Sequence, residues 1–143
     1  MFQPTRDEAR RFLFDAWRKY RAGEALQELE RKAVAIALEH PEYHAVLDDP
    51  KRYGERDYFP EMGETNPFLH LSMHLALEEQ LAIDQPPGIR ARFDALAAAC
   101  GSRHDAAHAA IDCLAEMLWR AGRAGTPPDA AFYLDCLQRR GVK

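Results

Sequence analysis

The sequence predicts an all-α protein, a single-domain helical bundle of about six or seven helices over residues 1–143 with a long loop near residues 48–65. Three observations carry the prediction. Apolar residues recur at the three-and-four spacing of helices, the two-residue alternation of strands is nearly absent, and Pro, Gly and capping residues punctuate the chain at helix-length intervals.

The first helix begins at Thr5, whose hydroxyl caps it, with Glu8 in the capping-box position; it runs through Phe12, Trp17 and Tyr20 to a stop near Gly23. A second helix is expected from about Glu24 to His40, because Leu26, Leu29, Ala33, Ile36 and His40 follow helical spacing. His40 therefore occupies the place of the next core residue. Pro41 disfavours helical backbone at His40 and suits a first turn, so HPEYHAVL reads as a bend followed by a short helix bearing His44. From Asp48 to Glu64, Pro50, Gly54, Pro60 and Gly63 punctuate Tyr53, Tyr58 and Phe59, the signature of a long loop. Packing under that loop is the expected role of its aromatic residues.

Asn66 and Pro67 form a cap and first-turn pair for a helix reaching about Ile83, and DQPPG breaks the chain after it. A helix from about Ile89 to Cys100 ends at Gly101. Ser102, with Asp105 three residues on, starts another that runs to about Ala121, where Gly122 and Gly125 end it. Thr126 with Pro127 opens the last, through Phe132, Leu134 and Leu137.

At 143 residues the chain is long enough to bury a core without metal or disulfide staples. Its 47% hydrophobic and 29% charged content is that of a globular protein. The 19 basic and 23 acidic side chains, net −4, argue against a large cationic surface for nucleic acid or anionic lipid. The basic first helix, with Arg6, Arg10, Arg11, Arg18, Lys19 and Arg21, is diluted by Asp7, Glu8 and Asp15 and reads as a solvated face. MFQPTRDEARR carries charges where a signal peptide needs an apolar core, and no apolar run is long enough to span a bilayer. A cytoplasmic location and no membrane partner are expected. Cys100, Cys113 and Cys136 are odd in number, lack CxxC spacing and fall among Ala and Leu, so they read as buried reduced thiols. Trp17 and Trp119 read as core.

All six histidines fall in pairs four residues apart: His40 with His44, His70 with His74, His104 with His108. Four apart on a helix is one face, so such a pair can converge on one ion. HLSMHLALE and HDAAHAAID repeat the pattern His, three residues, His, three residues, carboxylate, which extends the rows to Glu78 and Asp112. The face bearing His70, His74 and Glu78 also bears Met73, Leu77 and Leu81, and that of His104 and His108 also holds Ile111, Ala115 and Trp119. Imidazoles and carboxylates buried in apolar stripes without partners cost about 1–3 kcal/mol each. They satisfy one another or share a metal.

The candidate ligands are thus His70, His74, Glu78, His104, His108 and Asp112, with His40 or His44 completing the shell. The ion is a transition metal, Fe, Zn, Ni or Cu, since imidazole with carboxylate suits all four. Glu-x-x-His and HExxH are both absent from these rows, which disfavours a ferritin-like centre and a zincin-type protease. By architecture alone the rows are similar to hemerythrin and the DinB-like metalloproteins. Two functions compete: a metal-binding protein with redox, oxygen-handling or hydrolytic chemistry, and a non-enzymatic module in which the histidines form a buried structural network and helix surfaces bind another protein or a second copy.

TNPFLHLSMHLALEEQLAIDQPPGIR, HPEYH and FQPTRDEARRFLFDAWRKYRAG resemble a family of small bacterial proteins known as domain of unknown function 1841. The resemblance implies a bacterial, cytoplasmic protein with no assigned activity, and it transfers no site residues.

Overall fold

The structure is a computed structural model that describes residues 5–58 and 65–141. It is all-helical, 77% helix, with eight α-helices, one 3-10 turn and no strand among the described residues. The chain divides into two compact units, Met1–Leu75 and Ala76–Lys143.

In the first unit, α1 (Arg6–Ala22) starts where the Thr5 hydroxyl accepts the Glu8 N–H and ends at Gly23, whose φ of 72° is a left-handed conformation that glycine adopts without a Cβ clash. Helix α2 (Glu28–Leu38) begins four residues later than the periodicity predicts. The reason lies at the end of α1: the Glu24 N–H donates to the Lys19 carbonyl and its carboxylate pairs with Arg18 at 3.0 Å, so this segment completes the α1 cap. Gln27 and Glu30 then form the capping box that opens α2.

His40 leaves the helical region at φ −127°, ψ 66°, and Pro41–Tyr43 forms a 3-10 turn leading into α3 (His44–Leu47), the expected bend and short helix. The loop that follows contains an unexpected helix, α4 (Pro50–Tyr53), because Asp49 caps it through the Arg52 N–H and Pro50 occupies its first turn. Residues 59–64 of that loop, Phe59 among them, lie outside the described residues. Helix α5 (Pro67–Ile83) has the predicted limits, with Asn66 Oδ1 accepting the Phe68 and Leu69 N–H groups.

The core of this unit joins Leu13, Ala16 and Trp17 of α1 to Val34, Ile36 and Ala37 of α2, Leu47 of α3, and Phe68, Leu71 and Leu75 of α5. Tyr53 and Tyr58 pack against it, as expected of the loop aromatics. Trp17 also donates its indole N–H to Asp48 Oδ1 at 2.7 Å. Arg10 departs from the solvated-face expectation: it is 3% exposed, and its Nη1 donates to the carbonyls of Tyr53, Gly54 and Arg56. The loop needs those carbonyls satisfied, and a long cationic side chain reaches them.

The second unit packs α6 (Ile89–Cys100), α7 (Arg103–Ala124) and α8 (Ala130–Arg140) against one another in every pairing. Its interior holds Leu77, Ile89, Leu96, Ala110, Leu114 and Leu137. Helix α7 begins at the predicted Ser102 cap but passes through Gly122 and stops at Gly125, where φ is 66°. Helix α8 is opened by Asp129, which accepts the Phe132 N–H, rather than by Thr126. The expectation of three reduced buried thiols is corrected. Cys113 and Cys136 face each other across α7 and α8 at a Cα separation of 5.9 Å and form a disulfide, while Cys100 is an exposed free thiol. Trp119 is likewise not core: α7 turns it outward, 60% exposed, with Arg123 stacked on its ring. Among the described residues no helix is long and apolar enough to cross a membrane.

Candidate metal centre

The site assembles from the end of α2 and the first half of α5. One helical turn separates His70 from His74, so both imidazoles leave α5 on the same side, their ring centroids 4.8 Å apart. His40 reaches them from the break after α2, its ring 5.0 Å from that of His70 and 4.6 Å from that of His74. His40 and His74 are buried, 4% and 3% exposed, and His70 is half-buried.

The nitrogens that meet are all Nε2. Those of His40 and His70 lie 3.2 Å apart, as do those of His70 and His74, and ligand atoms of the three residues lie within 4.8 Å of one another. His40 Nδ1 lies 2.8 Å from the Ile36 carbonyl oxygen. A carbonyl only accepts, so Nδ1 carries a hydrogen, and Nε2, turned toward His70, is the nitrogen able to offer a lone pair.

His70 Nε2 takes part in both contacts. In neutral rings a single hydrogen there would be shared between two acceptors, whereas a metal ion takes a lone pair from each ring. The spacing fits: with M–N distances of about 2.0–2.1 Å, tetrahedral geometry separates ligand nitrogens by about 3.3 Å. The backbone bond on the far nitrogen of His40 is also the usual support of a ligating imidazole. Three imidazoles suit Zn, Cu, Fe or Ni.

Tyr43 forms one wall. Its ring stacks parallel to His40, centroids 5.6 Å apart, and meets His70 edge-on at 5.9 Å. Burial pushes its phenol above the usual value, with Glu42 adding to the effect. Sequence reasoning missed Tyr43, although its place three residues after His40 in HPEYH was the available signal.

The other predicted residues have contacts of their own. His44 lies over Trp17, ring centroids 4.6 Å apart, and donates Nε2–H to the Ala37 carbonyl at 2.8 Å. That bond caps the end of α2 through Nε2–H and leaves the lone pair on Nδ1, and His44 is not among the residues whose ligand atoms gather around His40. In the second unit, Glu78 accepts two hydrogen bonds from the Arg103 guanidinium at 2.8 and 3.1 Å, a bidentate pair. Asp112 pairs with Arg140 at 3.4 Å on an exposed face. His104 is exposed and His108 half-buried; their rings lie 4.5 Å apart, and His108 Nδ1–H donates to the His104 carbonyl. Both carboxylates thus have cationic partners of their own, supplied by residues far away in sequence.

Comparison with known proteins finds one family. The family described as Domain of unknown function (DUF1841) matches residues 5–139, nearly the whole chain. No curated protein and no solved structure matches it.

Proposed function

This chain belongs to the DUF1841 family, and we propose that it binds a transition metal ion through Nε2 of His40, His70 and His74. The observation that carries the reading is the pair of 3.2 Å Nε2 separations with His40 held in the Nδ1–H form by Ile36. In the repeated HxxxH spacing, His108 and then His104 are the next imidazoles nominated as ligands. The metal is Fe, Zn, Ni or Cu. Three imidazoles with a further coordination position open to water or substrate support hydrolytic, redox or oxygen-handling chemistry.

Elemental analysis of protein purified without an affinity tag, followed by titration with Fe, Zn, Ni and Cu salts, tests this. About one ion per chain is expected, and His74→Ala should weaken binding by at least about tenfold while helical content survives. Less than about a tenth of an ion per chain, with no uptake on titration, would sink the reading. Unchanged affinity in His108→Ala removes that residue alone from the ligand set.

A second reading, a protein-interaction module with a structural histidine network, is favoured by Leu118 and Trp119, 46% and 60% exposed on α7. It predicts histidine variants that lose stability and no ion at all.

A further inference from the structure

Away from the histidines, the N-terminal ends of α1 and α5 line an open cavity of about 260 Å³. Thr5, Arg6 and Arg10 contribute to it from α1 and its cap, and Phe68, Leu69 and Ser72 from α5. At 100° per residue, Leu69 and Ser72 lie on the side of α5 opposite His70 and His74, so this space is separate from the candidate metal centre.

Arg10 is the unusual element. Its guanidinium lies 4.6 Å from the Phe68 ring centroid and 5.6 Å from that of Tyr58, and no carboxylate among the described residues pairs with it. Neutral carbonyls take its Nη1, and its buried Nε–H has no hydrogen-bond partner. Asp57 and Asp7 favour the charge of Arg10 only from a distance, and a buried cation with no carboxylate in contact is costly, so an anion in the adjoining cavity would relieve it. Desolvation pulls the Arg10 pKa below its ordinary value, and nearby Arg6 adds to that. Arg6 supplies a second guanidinium at the cavity; its partner Asp57 is not among the described residues that line the space, and none of those is acidic.

The rest of the wall selects the body of the ligand. Ala9, Phe68 and Leu69 are apolar, so an inorganic anion would leave most of the surface without a complement. The volume falls just below that of sites for drug-sized ligands, about 300–1,000 Å³, which points to a compact molecule. We propose that this cavity binds a small organic carboxylate with an apolar body, its carboxylate held by Arg10 and Arg6 and its body lying against Phe68 and Leu69.

Benzoate, acetate and uncharged benzamide, titrated into the full-length protein and followed by amide chemical shifts, test the assignment. Benzoate should bind at least about tenfold more tightly than either of the others, because each lacks one half of the match. Shifts should centre on Ala9, Leu69 and Ser72. Leu69→Glu places a carboxylate at a position already 57% exposed, where folding tolerates it, and should weaken benzoate at least about tenfold with little effect on benzamide. Arg6→Gln should weaken benzoate in the same direction. Equal binding of benzoate and benzamide, acetate as tight as benzoate, no benzoate binding, or indifference of benzoate to Leu69→Glu would each overturn the proposal.

Discussion

His40 donates its Nδ1–H to the Ile36 carbonyl at 2.8 Å, and that bond decides which nitrogen it presents to His70, 3.2 Å away. The α2 helix ends at Leu38, so the His40 N–H turns to the Ala37 carbonyl, and the Ile36 carbonyl, which accepts the Glu39 N–H at 3.1 Å, takes the imidazole N–H on its second lone pair. One hydrogen bond thus caps a helix and orients an imidazole.

The first prediction concerns that tautomer. In metal-free protein near neutral pH, long-range proton–nitrogen correlation spectra should show His40 in the Nδ1–H form and His44 in the Nε2–H form, since each donates to a carbonyl through the named nitrogen. On adding metal, the His44 signals should keep their pattern while His40, His70 and His74 change. A His40 ring in the Nε2–H form would contradict the geometry on which the metal reading rests.

A second prediction concerns acid stability. The Lys19 ammonium donates to Glu30 at 2.8 Å and the Gln27 N–H at 2.9 Å, which holds the Glu30 carboxyl below its ordinary value against the opposing effect of burial. A carboxyl depressed on folding adds stability that is present above its unfolded pKa, about 4.3, and is lost as pH falls through the lower folded value. Glu30→Gln should therefore be less stable than the parent at pH 7, with the difference shrinking below about pH 4. Urea midpoints across pH 2.5–7 measure it; a constant gap would show that the loss comes from the capping box alone.

The third prediction concerns the link between α7 and α8. Cys113 and Cys136 are 23 residues apart, and closing a loop of that length in the unfolded chain corresponds to about 3 kcal/mol in the chain-entropy account. Cys136→Ala, with Cys113→Ala to remove the partner thiol, should lower stability by about 2–4 kcal/mol. Parent protein under reductant should show a comparable loss, read as a lower denaturant midpoint. Cys100 is a free thiol already, so Cys100→Ala should leave the midpoint almost unchanged.

Much of the fold was legible because the signals are local. Thr5, Asn66, Ser102, Gly23 and Gly101 act through hydrogen bonds and backbone conformations within a few residues, and the ends they predict occur. Where local signals competed, the sequence misled: Glu24 suits a helix but serves the end of α1, and Gly122 does not interrupt α7, whose neighbouring Met117 and Ala121 are buried. The site divides in the same way.

By itself the sequence determined that His70 and His74 share a face of α5, because four-residue spacing makes them neighbours on any helix. It also placed His40 where the second helix must bend, because Pro41 follows it. Only the tertiary structure decided that His40 joins them while His44 turns to Trp17, that Arg103 claims Glu78, and that Arg10 goes inward. Those choices depend on which groups distant in sequence come within a few ångströms, and hydrogen bonding and burial act through that distance alone.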